Sequence, residues 1–138
     1  MISLALDVGD RRVGLALSDE TGTLARPYGV YYRQGDEADV GELATLAQAV
    51  EAEVLVVGVP LNMDGTAGEQ AGKAETFGRS VAEQAGVPVE LVDERLTTVE
   101  AERVLQESGL NGRKRRLVQD ALAAVLILQA WLDGRREE

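Results

Sequence analysis

The stretch SLALDVGDRRVGLALSD, Ser3 to Asp19, constrains the fold more than any other. An apolar run reaches one acid, Asp7, turns through Gly9-Asp10-Arg11-Arg12, and is apolar again up to Ser18-Asp19. Two β-forming runs joined by a short Gly-containing connection predict a hairpin, with strands over Leu4–Val8 and Val13–Ser18. A chain that ends a buried strand on a carboxylate and then folds back has two simple uses for that acid. Asp7 either accepts hydrogen bonds from a turn or stands at a strand end, where open α/β sheets place their sites.

The rest of the chain extends this hairpin into a mixed sheet. GVYYRQG, Gly29 to Gly35, reads as a third strand, and Asp39 to Glu51 as a helix with Leu43, Leu46, Ala47 and Val50 on one face. VLVVGVP, Val54 to Pro60, is apolar throughout, the mark of a strand covered on both faces. A polar, Gly-containing loop over 61–68 leads to a helix over Glu69–Ala85 that carries Ala74, Phe77, Val81 and Ala82. Val87 to Glu94 is the last strand. Thr97 or Thr98 caps a helix over Val99–Ser108, with the capping-box spacing fitting Thr97. GLNG breaks the chain before a final helix over Arg113–Leu132. The pattern predicts one α/β domain over residues 1–138, a mixed five-stranded sheet in the order βββαβαβα with helices on both faces.

The absences narrow the chemistry. With neither cysteine nor histidine, disulfides, thiolate metal sites and Ser-His or Cys-His catalysis are excluded. A site built from carboxylates prefers hard cations, Mg²⁺ or Mn²⁺. No apolar run approaches the roughly 20 residues of a membrane span, and the N-terminus lacks the pattern of a signal peptide. The expected location is the cytoplasm, with no membrane partner.

Three acidic positions stand out. Asp7 closes the first strand. Asp93 and Glu94 close the last, and neighbouring strand residues point to opposite faces, so at most one of them joins Asp7 directly. The other caps or pairs with Arg95. Asp120 lies in the final helix among Leu117, Ala124, Ile127 and Trp131, an apolar face on which a lone carboxylate needs a metal ion or a basic partner. Acids from two strand ends and a helix can converge on one or two divalent ions, and two ions roughly 4 Å apart clamp the attacking and leaving oxygens of a phosphodiester.

The formal charge of −10, from 14 basic and 24 acidic residues, repels a polyanion on average. Local runs oppose that mean: Arg113-Lys114-Arg115-Arg116, with Arg11-Arg12 in the first turn, are the candidate phosphate contacts. The acids of Glu37 to Glu53 read as a solvated face. GEQAGK, Gly68 to Lys73, is not a phosphate loop, because three residues rather than four separate its glycines and Ala74 follows the lysine. Asn62, Asp64 and Thr66 make turns or contact substrate beside the strand ends. Ser18 has no histidine with which to build a triad.

Four ordered blocks, LDVGDRRVGLALSD, VVGVPLNMDGTAGEQ, VDERLTTVEAERVL and RLVQDALAAVLILQAWLD, together resemble the YqgF family, also called RuvX. The resemblance spans nearly the whole chain. It implies a ribonuclease H-like fold and a metal-dependent nuclease that processes the 5′ end of pre-16S ribosomal RNA or acts as a Holliday-junction-resolvase-like DNA endonuclease. The family's acids fall on Asp7, on Asp93-Glu94 and on Asp120, as catalytic and metal-binding residues with Mg²⁺ or Mn²⁺ as cofactor. Val118-Gln119, before Asp120, departs locally from the family pattern and leaves the acid in place. The expected nucleic-acid contacts are Arg11, Arg12, Asn62, Arg95, Arg113, Lys114, Arg115 and Arg116. The partners expected are precursor rRNA, branched DNA, a ribosome-assembly complex and a second copy of the chain. Two readings of other classes compete: a non-catalytic nucleic-acid-binding or ribosome-assembly module, and an actin-like nucleotide-binding domain, in which an Asp-x-Gly hairpin holds nucleotide phosphate.

Overall fold

The computed structural model describes residues 1–96 and 112–136, with side chains for residues 1–95 and 121–135. The hairpin forms as the sequence predicts. Strand β1 (Ser3–Val8) pairs antiparallel with β2 (Arg12–Ser18), and Asp7 lies opposite Gly14. Gly9 N donates to Arg12 O at 2.9 Å, closing the turn. A Cβ on Gly9 would stand 2.8 Å from that same oxygen, so the close approach of the two backbones requires a glycine.

Strand β3 (Ala25–Tyr32) pairs antiparallel with β2 at the sheet edge. It begins four residues before the predicted Gly29 and ends three before Gly35. Pro27 is accommodated because it lies on an edge strand at a bulge, where the register shifts between Leu15 and Ala16. Residues 33–35 leave the sheet to meet a buried acid of the next helix.

That helix, α1 (Asp36–Ala49), starts three residues ahead of the predicted Asp39. Its first turn holds Asp36, Glu37 and Asp39, the charges that a helix N-terminus favours. Asp39 is fully buried, which overturns the solvated-face reading of this acidic stretch at one position. Its carboxylate accepts from Tyr31 Oη at 2.8 Å, Arg33 Nε at 3.0 Å and Gln34 N at 2.8 Å. Burial alone would raise its pKa, but these donors outweigh burial and hold it below the usual aspartate value.

Strand β4 (Val54–Val59) is buried at every residue and runs parallel to β1. Helix α2 (Glu69–Ala85) has the predicted limits, and Ala74, Phe77, Val81 and Ala82 are all buried. It ends on Gly86 in the left-handed conformation, which glycine adopts without a steric penalty. Strand β5 (Val89–Asp93) starts two residues after the predicted Val87 and ends one before the predicted Glu94, which opens a 3₁₀ turn over Glu94–Leu96. The final helix, α3 (Gly112–Arg136), includes the predicted one. The expected Thr97 cap and the helix over 99–108 lie outside the described residues.

The sheet order is β3-β2-β1-β4-β5, antiparallel at β3-β2-β1 and parallel at β1-β4-β5. One face buries Leu4, Leu6, Val13, Leu55 and Val57 against α1 and α2. The other buries Ala5, Ala16, Ala25 and Val56 against Ala124, Ile127, Leu128 and Leu132 of α3. Alanines on this second face let one long helix lie close to the strands. Helix α3 runs opposite to β1. Gln129 Oε1 accepts from Ala25 N at 2.9 Å, and Arg135 reaches Met1, both beside the start of β1. Its N-terminal half therefore points toward the C-terminal ends of β1 and β4. Among the described residues, no helix is long and apolar enough to cross a membrane.

Candidate active site

Strand parity decides which acids meet. On β1, Leu4 and Leu6 face α1 and α2, whereas Ala5 faces α3, so Asp7 emerges on the α3 face. The parallel ladder pairs Leu6 with Val57 and Gly58 with Val92. One step beyond Leu6, Asp7 is thus beside Gly58. Val92 packs with the α3 cluster, so Glu94 follows on the Asp7 side and Asp93 on the other.

Gly58 makes room for the encounter. A Cβ at this position would stand 2.5 Å from Glu94 Oε1 and 2.9 Å from Glu94 Cγ, and would collide with Ile127 Cδ1. The Glu94 side chain lies across the bare backbone of β4, and its carboxyl shares a hydrogen bond with Asp7. Burial, that hydrogen bond and the negative charges of Asp7 and Asp93 push the Glu94 carboxyl up to about 8. Glu94 is therefore the acid of this pair whose ionisation burial and neighbouring charge oppose.

Asp93 has a different task. Its carboxylate accepts from Arg95 Nη2 at 2.6 Å and Nε at 3.0 Å, and from Arg95 N at 3.0 Å. The Arg95 side chain is the first cause of its lowered pKa. Arg95 Nη1 donates onward to the carbonyls of Asn62 and Met63, each at 3.3 Å. This ties the loop over 61–68 to the end of β5. Within the loop, Asp64 Oδ1 accepts from Thr66 N at 2.9 Å, and Asn62 Nδ2 donates to Thr66 Oγ1 at 3.1 Å. Asn62, Asp64 and Thr66 thus build the loop itself, and Arg95 braces it.

The other expected residues fall in three places. Arg11 and Arg12 are exposed on the hairpin turn. Residues Arg113, Lys114, Arg115, Arg116 and Asp120 lie within α3, and their side chains lie outside the described residues. Ser18 and Asp19 are structural. Ser18 Oγ accepts from Ser3 N at 2.8 Å, and Asp19 Oδ1 accepts from Thr23 N at 2.8 Å. Among the described residues, no three acids cluster as a metal cage would; Asp7 and Glu94 are the pair that meets.

Gly58 was missed by the sequence reading, although its signal was present. A lone glycine inside an otherwise apolar strand marks a close approach by another group. Asp39 carried no such signal, because its burial depends on the side chains of Tyr31 and Arg33 and the backbone N–H of Gln34, which converge from β3 and the β3–α1 loop.

The family model for RuvX, described as a Holliday junction resolvase, matches residues 1–134. A relative from Anaeromyxobacter sp. (strain Fw109-5), named "Putative pre-16S rRNA nuclease", is 48% identical over 132 residues, covering 96% of each chain. One from Syntrophomonas wolfei with the same name is 42% identical, covering 95% of this chain and 93% of its own. In fold, the chain is similar to Thermus thermophilus RuvC in complex with a Holliday junction substrate, with a TM-score of 0.64 at 17% identity over 99% of this chain and 96% of that one. The fowlpox virus Holliday junction resolvase aligns with a TM-score of 0.60 at 12% identity, over 97% and 99% of the two chains.

Proposed function

Because this chain belongs to the RuvX family, we propose that it is a divalent-metal-dependent nuclease whose site is built on Asp7 and Glu94 and whose substrate is precursor 16S ribosomal RNA. The observation that carries the reading is the Glu94 carboxyl folded over Gly58 onto Asp7. Two carboxyls held together at a half-buried strand end, in a chain without histidine or cysteine, are a donor set for a hard cation. Asp120 completes the proposed set. The chain direction of α3 carries its backbone toward the same strand ends, two helical turns before Ile127, which touches the Gly58 position.

Mg²⁺ or Mn²⁺ held by Asp7, Glu94 and Asp120 would neutralise charge on the attacking and leaving oxygens of a phosphodiester. The protein's own part is positional. Asp7 is fixed by its pairing with Gly14 of β2 and by the pairing of Leu6, the residue before it, with Val57 of β4. Glu94 is held against Asp7 by the 3₁₀ turn and by the space over Gly58. Loss of the Glu94 proton prepares the pair for a cation. Asp93 and Arg95 act as positioning residues that keep the loop over 61–68 beside the site. Arg11, Arg12 and the run Arg113 to Arg116 supply the positive field that the acidic chain as a whole lacks.

The substrate assignment rests on the shared name of the curated relatives. The description of the family model favours a four-way DNA junction as the second substrate. The test is incubation of the protein with end-labelled precursor 16S rRNA and with a four-way junction, in Mg²⁺, in Mn²⁺ and in excess chelator. Cleavage of precursor RNA only with metal is expected, with Asp7→Asn and Glu94→Gln each reducing the rate at least about 100-fold. Asp93→Asn should retain most of the rate. Full activity in chelator with metal-free protein would overturn the metal reading. Preferred cutting of the junction would replace the substrate, and a two-fold symmetric cut would then call for a dimer in solution.

A further inference from the structure

The hairpin turn and the end of the edge strand carry a second feature on the Asp7 face. Arg12 and Tyr32 are direct partners in the β2–β3 ladder, so their side chains leave the sheet on one side. Tyr31 takes the opposite side, where its hydroxyl donates to Asp39 beneath α1. Tyr32 therefore shares the face of Asp7. Counting two strand spacings across and two residues along gives a separation of about 12 Å. Tyr32 is 64% exposed. With Gly9, Asp10, Arg11 and Arg12 it lines an open cavity of about 560 Å³.

The frame around this ring is braced. Arg33 N donates to Arg11 O at 2.9 Å. The Arg33 side chain donates to Gly9 O at 3.0 Å and pairs with both Asp36 and Asp39. Its guanidinium also lies 4.7 Å from the centre of the Phe77 ring. One arginine thus joins the hairpin turn, the end of β3, α1 and α2, and the residue before it holds an aromatic ring out to solvent. An exposed tyrosine is ordinary in itself. This one stands on a braced backbone, lines a cavity together with Asp10 and two arginines, and shares the sheet face of the carboxyl pair.

We propose that Tyr32 is a stacking platform for an unpaired nucleobase a few nucleotides from the scissile phosphate, with Arg11 and Arg12 against the flanking phosphates. A flat ring with adjacent cations suits single-stranded nucleic acid, because every base has a face to stack while the backbone tracks positive charge. A base within a duplex already has both faces covered. The assignment deepens the nuclease reading and depends on it for the location of the scissile phosphate.

The test measures binding and stacking in a background that does not cut, Asp7→Asn. The probe is a single-stranded RNA of about 12 nucleotides carrying 2-aminopurine, with the duplex of the same sequence as control. Adding Tyr32→Leu should weaken single-strand binding roughly 5- to 100-fold and abolish the change in 2-aminopurine fluorescence. Tyr32→Phe should preserve both, and duplex affinity should move little in either variant. Equal single-strand affinity and equal quenching in the Leu and parent proteins would overturn the proposal. So would an equal loss on the duplex, or no single-strand binding by the parent. Cleavage by the protein with Asp7 intact is measured in parallel. A protein that cuts nothing yet shows the Tyr32-dependent quench removes the nuclease reading and leaves the platform. One that cuts while Tyr32→Leu changes nothing removes the platform alone.

Discussion

Glu94 should make the metal-free protein lose stability as pH rises through neutrality. Its folded pKa of about 8 stands above its ordinary 4.5. Between these values the folded state keeps a proton that the unfolded chain has released, so unfolding stability falls with increasing pH. The interval is about 3.5 units, and each unit corresponds to about 1.4 kcal/mol. That ceiling of about 5 kcal/mol must be discounted, because the half-buried carboxyl is partly screened by water. A loss of about 1–2 kcal/mol remains. For a chain of 138 residues this is a fall of about 3–7 °C in Tm. Glu94→Gln keeps the shape and a hydrogen-bond donor toward Asp7 but cannot ionise. Its melting temperature should decline less than that of wild type between pH 5 and 8.5. The assay is thermal melting by circular dichroism in chelator, at fixed ionic strength, for both proteins. Adding Mn²⁺ at pH 8 should raise wild-type Tm, by about 2.7 kcal/mol of stability at a hundredfold excess over Kd, and Glu94→Gln should lose much of that gain. Parallel pH profiles in the two proteins would refute the carboxyl pair as described.

Three further outcomes follow from the same geometry. Gly58→Ala should remain folded at a cost of about 1–3 kcal/mol, because the colliding atoms belong to side chains that can move. It should nevertheless cut at a rate close to that of Glu94→Gln, as cleavage assays beside melting curves would reveal. Asp39→Asn should destabilise by about 2–3 kcal/mol, since it weakens a buried acceptor of Tyr31, Arg33 and Gln34. Because the folded Asp39 pKa is lowered, its contribution is present above the ordinary aspartate range and is lost on acidification, so the variant should approach wild type near pH 3 in denaturant titrations. Replacing Arg113 to Arg116 by glutamine should flatten the dependence of log affinity on log salt by up to about 3 for single strands. An unchanged slope would leave that run as a solvated face.

Local pattern alone determined most of the architecture. The hairpin, the apolar β4, the exact span of α2 and the alternation of elements depend on period, turn residues and glycine placement, all of which act between near neighbours in the chain. The boundaries of β3 and α1 did not follow from pattern. Pro27 is admitted by a bulge on the sheet edge, and the helix start is fixed by Asp39 accepting from residues that only the folded β3 delivers. At the site, alternation along β5 showed that Asp93 and Glu94 must part, but not which would meet Asp7. That choice depends on the face α3 covers and on the register between β1, β4 and β5, which set Gly58 beside Asp7 and leave the space that Glu94 fills. With Glu94 on the Asp7 side, Asp93 is left to its near neighbour Arg95, and the pairing of β3 with β2 brings Tyr32 onto the side of the carboxyl pair. Residue type and spacing identify which groups can do chemistry. Strand pairing between distant segments selects which of them share a face, because a shift of one residue sends every side chain of a strand to the other side.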